Sequence, residues 1–71
     1  MPDSVYTFTE LVGTSSESWE RAAAAAVETA SKSLRDLRVA EIVQFDMVLE
    51  GGQVRAYRAR VKISFKYEAK A

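Results

Sequence analysis

The chain has 71 residues, which allows one small domain and excludes enzymes built from two domains. It contains neither cysteine nor histidine, which excludes disulfides, thiolate zinc sites and proton transfer by histidine. Ten basic residues balance ten acidic ones, and this neutral charge argues against a dedicated nucleic-acid-binding protein. The sequence has no signal-peptide pattern and no apolar run near the roughly 20 residues of a membrane span, so we expect a cytoplasmic protein without a membrane partner.

A β-strand is predicted from Val5 to Val12. This segment is dense in β-branched and aromatic residues, which strands favour. Gly13 directly follows it, and because glycine is common in turns we expect the strand to end there.

A long amphipathic helix is predicted next. Thr14 and Glu17 have the spacing of a capping box, which places the helix start near Ser15 or Ser16. The apolar positions step by three and four and form one stripe over about five turns: Trp19, Ala22, Ala23, Ala26, Val27, Ala30, Leu34 and Leu37. Because alanine is small and favours helices, we expect the stripe to let a sheet pack closely against it.

Two long strands joined by a tight turn are predicted for the rest of the chain, from Val39 to Glu50 and from Val54 to Tyr67. Gly51 and Gly52 suit a two-residue hairpin turn, because glycine readily takes positive φ. This turn predicts that Glu41 faces Lys62, Val43 faces Arg60, Phe45 faces Arg58 and Asp46 faces Tyr57. An inserted bulge would shift the register by one residue. The element order is β-α-β-β, an α+β fold.

The predicted register gives the sheet two faces that both carry apolar side chains. One face suits the alanine stripe of the helix: Ala40, Ile42, Ala59, Val61, Ile63 and Phe65. The other mixes apolar and charged groups: Val39, Val43, Phe45, Met47 and Leu49 with Glu41, Arg58, Arg60 and Lys62. One helix covers only one face, so the mixed face indicates a subunit interface or a ligand surface. The alternative is that the long Arg and Lys stems simply cover the apolar side chains.

The sequence offers little catalytic chemistry, and we predict no catalytic residues. The serines before the helix have no histidine base, and helix capping explains them. The carboxylates do not have EF-hand spacing, so an ion site would have to form from loops or between subunits. Its ligands would be carboxylate, carbonyl and water oxygens, which predicts calcium or magnesium and not zinc.

The sequence resembles the dodecin family from Val5 to Tyr67, which is nearly the whole chain. The likeness lies in Val-Gly-Thr-Ser-x-x-Ser-Trp-Glu at 12–20, Leu-Arg-Val-Ala-Glu at 37–41, Tyr-Arg at 57–58 and Ser-Phe-Lys at 64–66. It implies a single dodecin-like domain over residues 1–71, with an ordered core at 5–67 and a three-stranded antiparallel sheet wrapped around one helix. It also implies a hollow dodecamer built from trimers, which binds or stores flavins or similar small ligands.

The resemblance also points to candidate ligand residues. In flavin-type dodecins, a tryptophan that stacks on the flavin precedes the Ala-Glu pair, where this chain has Val39. A glutamine that pairs with the polar edge of the flavin follows the tyrosine of the last strand, where this chain has Arg58. Valine has no π face and arginine accepts no hydrogen bond, so we expect flavin to bind weakly or not at all. FMN is favoured over riboflavin, because the fork of Arg58 can hold its phosphate. The candidate ligand-binding residues are Val39, Glu41, Phe45, Arg58 and Arg60.

Three functions remain open. The first is a shell that binds or sequesters a small ligand, and Arg58 and Arg60 favour an anionic one because the guanidinium fork fits a carboxylate or phosphate. The second is a structural assembly stabilised by an ion, because a subgroup of dodecins that shares the Ser-Trp-Glu, Arg-Val-Ala and Tyr-Arg segments includes a calcium-binding branch. Its metal ligands stay unassigned. The third is a small enzyme, for which the sequence offers no candidate residues.

Overall fold

The computed structural model describes residues 3–67, so the predicted domain limits at residues 1 and 71 lie outside the described residues. Strand β1 spans Tyr6–Ser15, helix α1 spans Trp19–Ser31, strand β2 spans Leu37–Glu50 and strand β3 spans Gln53–Lys66. The strands form one antiparallel sheet in the order β1-β3-β2, and the helix packs against one of its faces. The predicted α+β fold with β-α-β-β order is confirmed.

Strand β1 continues through Gly13, so the predicted turn at this residue is wrong. Gly13 is buried and lies opposite Ala59 in the β1–β3 ladder. A Cβ atom at this position would overlap the carbonyl oxygen of Ala22 and lie 3.2 Å from the Cβ of Ala26. The glycine is therefore needed because helix α1 approaches the strand too closely for any side chain.

Helix α1 begins later than predicted. Its N-cap is Ser18, whose Oγ accepts a hydrogen bond from the backbone N–H of Arg21 at 3.0 Å. Ser15 instead lies at the end of β1, and its Oγ accepts a hydrogen bond from the N–H of Glu17 at 3.0 Å. The hydroxyl groups of Ser15 and Ser18 do satisfy backbone donors, as predicted, but the helix starts three or four residues further along the chain.

The helix also ends earlier than predicted. It has 13 residues and stops at Ser31, so Leu34 and Leu37 are not part of it. Asp36 has a φ of 58°, a left-handed conformation that is incompatible with a continued helix and leads the chain into β2. Leu34 and Leu37 still pack against the core, which explains why they continue the apolar stripe. No helix within residues 3–67 is long and apolar enough to cross a membrane.

The hydrophobic core is thin and lies between the helix and the middle of β3. Its buried residues are Ala22, Ala26 and Ala30 of the helix and Ala59, Val61 and Ile63 of the strand. The prediction that the alanine stripe packs closely on the sheet is confirmed. Ile63 and Val61 are the largest side chains that are fully buried, so one subunit by itself buries little apolar surface.

The β2–β3 hairpin follows the predicted register next to the turn and again from Val39 to Ile42, and it shifts once more between Leu37 and Val39. The turn at Gly51 and Gly52, with φ values of 59° and 77°, is confirmed, and so is the pairing of Glu41 with Lys62. In the middle of the hairpin the register differs by one residue, because the ladder shifts between Ile42 and Gln44 and shifts back between Val48 and Leu49. Irregularities of this kind are typical of β-bulges.

The bulge changes three of the predicted pairs. Phe45 faces Ala59 and not Arg58, Asp46 faces Arg58 and not Tyr57, and Gln44 replaces Val43 opposite Arg60. Because side chains alternate between the faces of a sheet, the shift also moves Phe45 and Met47 to the helix side. The helix-free side, which we call the open face, carries Phe8, Glu10, Val12, Thr14, Val39, Glu41, Gln44, Asp46, Arg58, Arg60, Lys62 and Ser64.

Candidate ligand site on the open face

An ion pair between Arg58 and Asp46 lies at one end of the open face. The register places the two residues directly opposite each other on β3 and β2. Arg58 donates two hydrogen bonds, from Nε to Oδ1 and from Nη2 to Oδ2 of Asp46, both at 2.7 Å. The side chains are 43% and 39% exposed, so a ligand can reach the pair. This bidentate geometry is the one that arginine uses to bind carboxylates and phosphates.

The pairing alters the pKa of both groups. The hydrogen bonds from Arg58 hold the pKa of the Asp46 carboxyl below its ordinary value; partial desolvation opposes this effect, and the charges of Arg58 and Arg60 add to it. The hydrogen bonds and charge of Asp46 raise the pKa of Arg58. Because the pKa of Asp46 is lower in the folded chain than in the unfolded one, the pair stabilises the fold above the unfolded pKa. This contribution is lost as the pH falls through the folded pKa.

Charged residues continue along the open face in rows that cross all three strands. Lys62 lies between Glu10 of β1 and Glu41 of β2. Its Nζ nevertheless sits 4.4 Å from the centre of the Phe8 ring, in a cation–π contact. In the described part of the chain, Lys62 and Arg60 form no ion pair, in contrast to Arg58.

The five predicted ligand residues do not form one compact site. Glu41 and Arg60 are near neighbours, because Glu41 faces Lys62 and Arg60 lies two residues away on β3. Val39 faces Ser64, six residues along β3 from Arg58, which is about 20 Å in an extended strand. A small ligand therefore does not contact both Val39 and Arg58 of the same subunit.

Phe45, the fifth predicted ligand residue, lies on the helix side of the sheet. Its ring centre is 5.5 Å from that of Trp19, and the two residues line a cleft of about 410 Å³ together with Glu20, Ala23 and Ile42. The bulge in β2 causes this placement. Phe45 is therefore separated by the sheet from the charged residues with which it was grouped.

Trp19, the first residue of the predicted apolar stripe, packs within the subunit. Its ring contacts Tyr57 edge-on, with 5.1 Å between ring centres, in addition to Phe45. The indole N–H also donates a hydrogen bond to the backbone carbonyl of Asp46 at 3.1 Å. Trp19 thus holds, from the helix side, the backbone of the residue whose carboxylate binds Arg58 on the open face.

Sequence reasoning missed Asp46 as a site residue. With the unshifted register, Asp46 faced Tyr57 and had no charged partner. A register moved by one residue places this acid opposite an arginine, and such opposite-charge pairs favour a register. This complementarity was the signal that could have revealed both the bulge and the ion pair.

Acidic side chains are spread over the described chain without forming a metal centre. Among residues 3–67, no group of three or more acidic side chains is close enough to hold a metal ion. The open face carries Glu10, Glu41 and Asp46 in separate positions of the ladder, and Asp46 is already engaged by Arg58.

These observations define a small α+β protein in which a single helix covers one face of an antiparallel sheet and leaves a charged face open. The dodecin family model matches residues 5–68. The chain is 43% identical to the calcium dodecin of Mycobacterium tuberculosis over 63 residues, which cover 89% of each protein. The chain therefore belongs to the dodecin family.

Solved structures agree with this assignment. The dodecin from Streptomyces coelicolor is 36% identical and superposes with a TM-score of 0.90, over 99% of this chain and 100% of that one. The crystal structure of the Mycobacterium tuberculosis calcium dodecin, described as a calcium-chelating antigen with a novel calcium-binding site, is 40% identical. Its TM-score is 0.81, over 96% of this chain and 97% of that one. Members of the family are known as oligomeric binding and storage proteins and not as enzymes.

Proposed function

We propose that the protein is a homo-oligomeric binding and storage protein, a dodecamer built from trimers, with a small-ligand site on the open face. The domain that assembles extends over residues 5–67. The observation that carries this proposal is the apolar surface that one subunit leaves exposed. Large exposed hydrophobic residues within residues 3–67 include Val5, Tyr6, Phe8, Val12, Val39, Ile42, Val43, Phe45, Met47, Leu49 and Val54. Monomers rarely expose so much apolar surface, whereas subunit interfaces bury it.

The spread of the candidate residues supports a ligand site shared between subunits. Val39 and Arg58 lie about 20 Å apart along one open face, by the rise of an extended strand. A small ligand that contacts both positions therefore takes them from different subunits. We assign ligand contact to Val39, Glu41, Arg58 and Arg60, and we leave out Phe45 because it packs on the helix side.

Native mass spectrometry tests the assembly directly. We expect a complex of twelve subunits, with additional mass where a small ligand is retained. A protein that stays a 7.9 kDa monomer at micromolar concentration would refute the proposal.

A pair of charge reversals locates the interface in the same experiment. Arg60→Glu is expected to weaken the assembly, because it reverses a charge of the open face. The residues that face Arg60 on the two neighbouring strands, Val12 and Gln44, are uncharged, so the substitution breaks no cross-strand charge pair within the subunit. Arg35→Glu makes the same change of charge in the exposed connection between helix and sheet, and should leave the subunit count unchanged. Equal effects of the two variants on the subunit count would show that the open face is not part of the interface.

A second candidate function is an assembly stabilised by calcium, without a small-molecule ligand. It is supported by the 43% identity to a calcium dodecin. We propose that the ion would lie between subunits, where symmetry brings copies of one carboxylate together and supplies the oxygen ligands that calcium prefers. Calcium should then raise the melting temperature of the oligomer, and a calcium chelator should lower it. Stoichiometric zinc in the dialysed protein would contradict this candidate.

A further inference from the structure

We propose that Asp46 is a specificity-determining residue of the open face: its carboxylate occupies the guanidinium fork of Arg58 and thereby excludes anionic ligand groups from it. This inference rests on the proposed ligand role of the open face. It reverses the expectation from sequence that Arg58 would be available to bind a phosphate or carboxylate.

The carboxylate of Asp46 fills the fork that Nε and Nη2 of Arg58 form. Both parallel donors of Arg58 are used, each at 2.7 Å from a different oxygen of Asp46. The negative charge of Asp46 disfavours an anion at the remaining donors of Arg58. A ligand carboxylate or phosphate that binds at the Nε–Nη2 fork needs the same two donors in the same arrangement. To reach them it would have to displace Asp46 and then lie beside the displaced negative charge.

The residue Asp46 is held by its backbone as well as by Arg58. Its backbone lies opposite Arg58 in the β2–β3 ladder, and its carbonyl oxygen accepts the indole N–H of Trp19 at 3.1 Å. The adjacent Phe45 packs against the same indole ring. Asp46 is therefore a fixed internal partner of Arg58 and not a side chain that meets it by chance.

The bulge in β2 creates this arrangement. Without the shift at Ile42–Gln44, Phe45 would face Arg58 on the open face and Asp46 would lie on the helix side. The guanidinium would then be free beside an aromatic ring, which is a surface suited to an anionic aromatic ligand. One extra residue in the strand thus places the carboxylate of Asp46, and not an aromatic ring, beside Arg58, so that the charge of Arg58 is neutralised within the subunit.

Isothermal titration with inorganic pyrophosphate tests the inference. Asp46→Asn keeps the size of the side chain, removes its charge and leaves only one acceptor oxygen, so the fork of Arg58 is freed in part. We expect Asp46→Asn to bind pyrophosphate at least about tenfold more tightly than the unmodified protein. The gain should disappear in the double variant Asp46→Asn with Arg58→Gln.

Glu10→Gln is the matched control, because it removes one negative charge from the same face of the sheet at an exposed residue outside the proposed ligand contacts. Its affinity for pyrophosphate should change by less than about threefold. An equal gain in both single variants would show that only net charge matters and would overturn the inference, and so would the absence of any gain in Asp46→Asn. Asp46→Ser is the second variant if Asp46→Asn folds poorly by circular dichroism.

The outcome separates this inference from the proposed function, because Arg58 and Asp46 belong to one subunit and can be titrated in any state of assembly. A dodecamer that retains a small ligand but gains no pyrophosphate affinity in Asp46→Asn would refute the inference alone. A monomer in which Asp46→Asn gains that affinity would refute the proposed function alone.

Discussion

Replacing Gly13 with alanine is expected to destabilise the protein by about 3 kcal/mol or more, at or above the upper end of the range for overpacked cores. The new Cβ would overlap the carbonyl oxygen of Ala22, which belongs to the helix backbone and has no rotamer to change. Relief of the clash requires helix α1 to move away from β1. Because the buried core consists of small residues packed at this helix–sheet contact, the movement would also open the core.

Urea unfolding followed by circular dichroism measures this effect. Gly52→Ala is the matched control, because it adds the same methyl group where nothing lies within 4 Å, at a φ of 77°. Its left-handed conformation alone should cost about 1–2 kcal/mol. If Gly13→Ala unfolds at the same urea concentration as Gly52→Ala, the close approach of helix and strand is not what requires glycine at position 13.

The element order and the buried face of the helix could be predicted because each depends on a local pattern. The steps of three and four between Ala22, Ala26 and Ala30 place these residues on one side of a helix in any packing arrangement. The limits of the helix depend on tertiary structure instead. Leu34 and Leu37 extend the apolar periodicity while packing against the core from outside the helix.

The role of Gly13 could not be predicted from sequence, because a turn and a close helix contact both require glycine. Only the distance between β1 and α1 separates the two interpretations. The position of the helix N-cap was ambiguous for a similar reason. Several hydroxyl residues precede the helix, and Ser18 caps it because the longer β1 strand moves its start along the chain.

The candidate site depended on the register, and the register depended on a bulge that the turn residues do not reveal. The turn at Gly51 and Gly52 correctly predicts the pairs next to it, but the bulge changes the pairs in the middle of the hairpin. Four of the five candidate residues lie on the open face despite this change: Val39, Glu41, Arg58 and Arg60. Phe45 and Asp46 exchange faces, because a shift of one residue moves every side chain to the opposite side.

The mixed character of the open face connects stability to assembly. Within residues 3–67 the buried core contains only alanine, valine and isoleucine, while apolar side chains of the open face such as Phe8 and Val39 are more than half exposed. A small domain with so thin a core gains stability from burying those side chains against other subunits. In the assembly that we propose, the charges between them would select which surfaces meet, because a misplaced subunit would bring like charges together.

Val39→Trp combined with Arg58→Gln is expected to turn the open face into a flavin-binding surface. Val39 is 59% exposed and lies in a row with Ser64 and Phe8, so an indole ring has space there. Stacking of a flavin on this ring should contribute about 1–3 kcal/mol, by analogy with bases stacked on aromatic side chains. Glutamine at position 58 would add both a donor and an acceptor for the polar edge of the flavin.

The ion pair with Asp46 predicts which flavin benefits most. Arg58→Gln removes the partner of Asp46 and leaves its negative charge on the open face. Riboflavin, which is neutral, should therefore gain more affinity in the double variant than FMN, whose phosphate is repelled. Before substitution, neither flavin should bind tightly. FMN should bind no more tightly than riboflavin, because Asp46 occupies the fork of Arg58.

Titrations that follow the quenching of flavin fluorescence, on the unmodified protein, the two single variants and the double variant, measure these affinities. For riboflavin we expect a gain of about 5- to 150-fold from stacking, the range that 1–3 kcal/mol corresponds to. Each single variant should gain less than the double variant. Because Val39 and Arg58 of one subunit lie about 20 Å apart along the strand, the additional gain in the double variant requires two subunits and should vanish on dissociation. Tight riboflavin binding by the unmodified protein, or a double variant no better than Val39→Trp alone, would show that these two side chains do not control flavin binding.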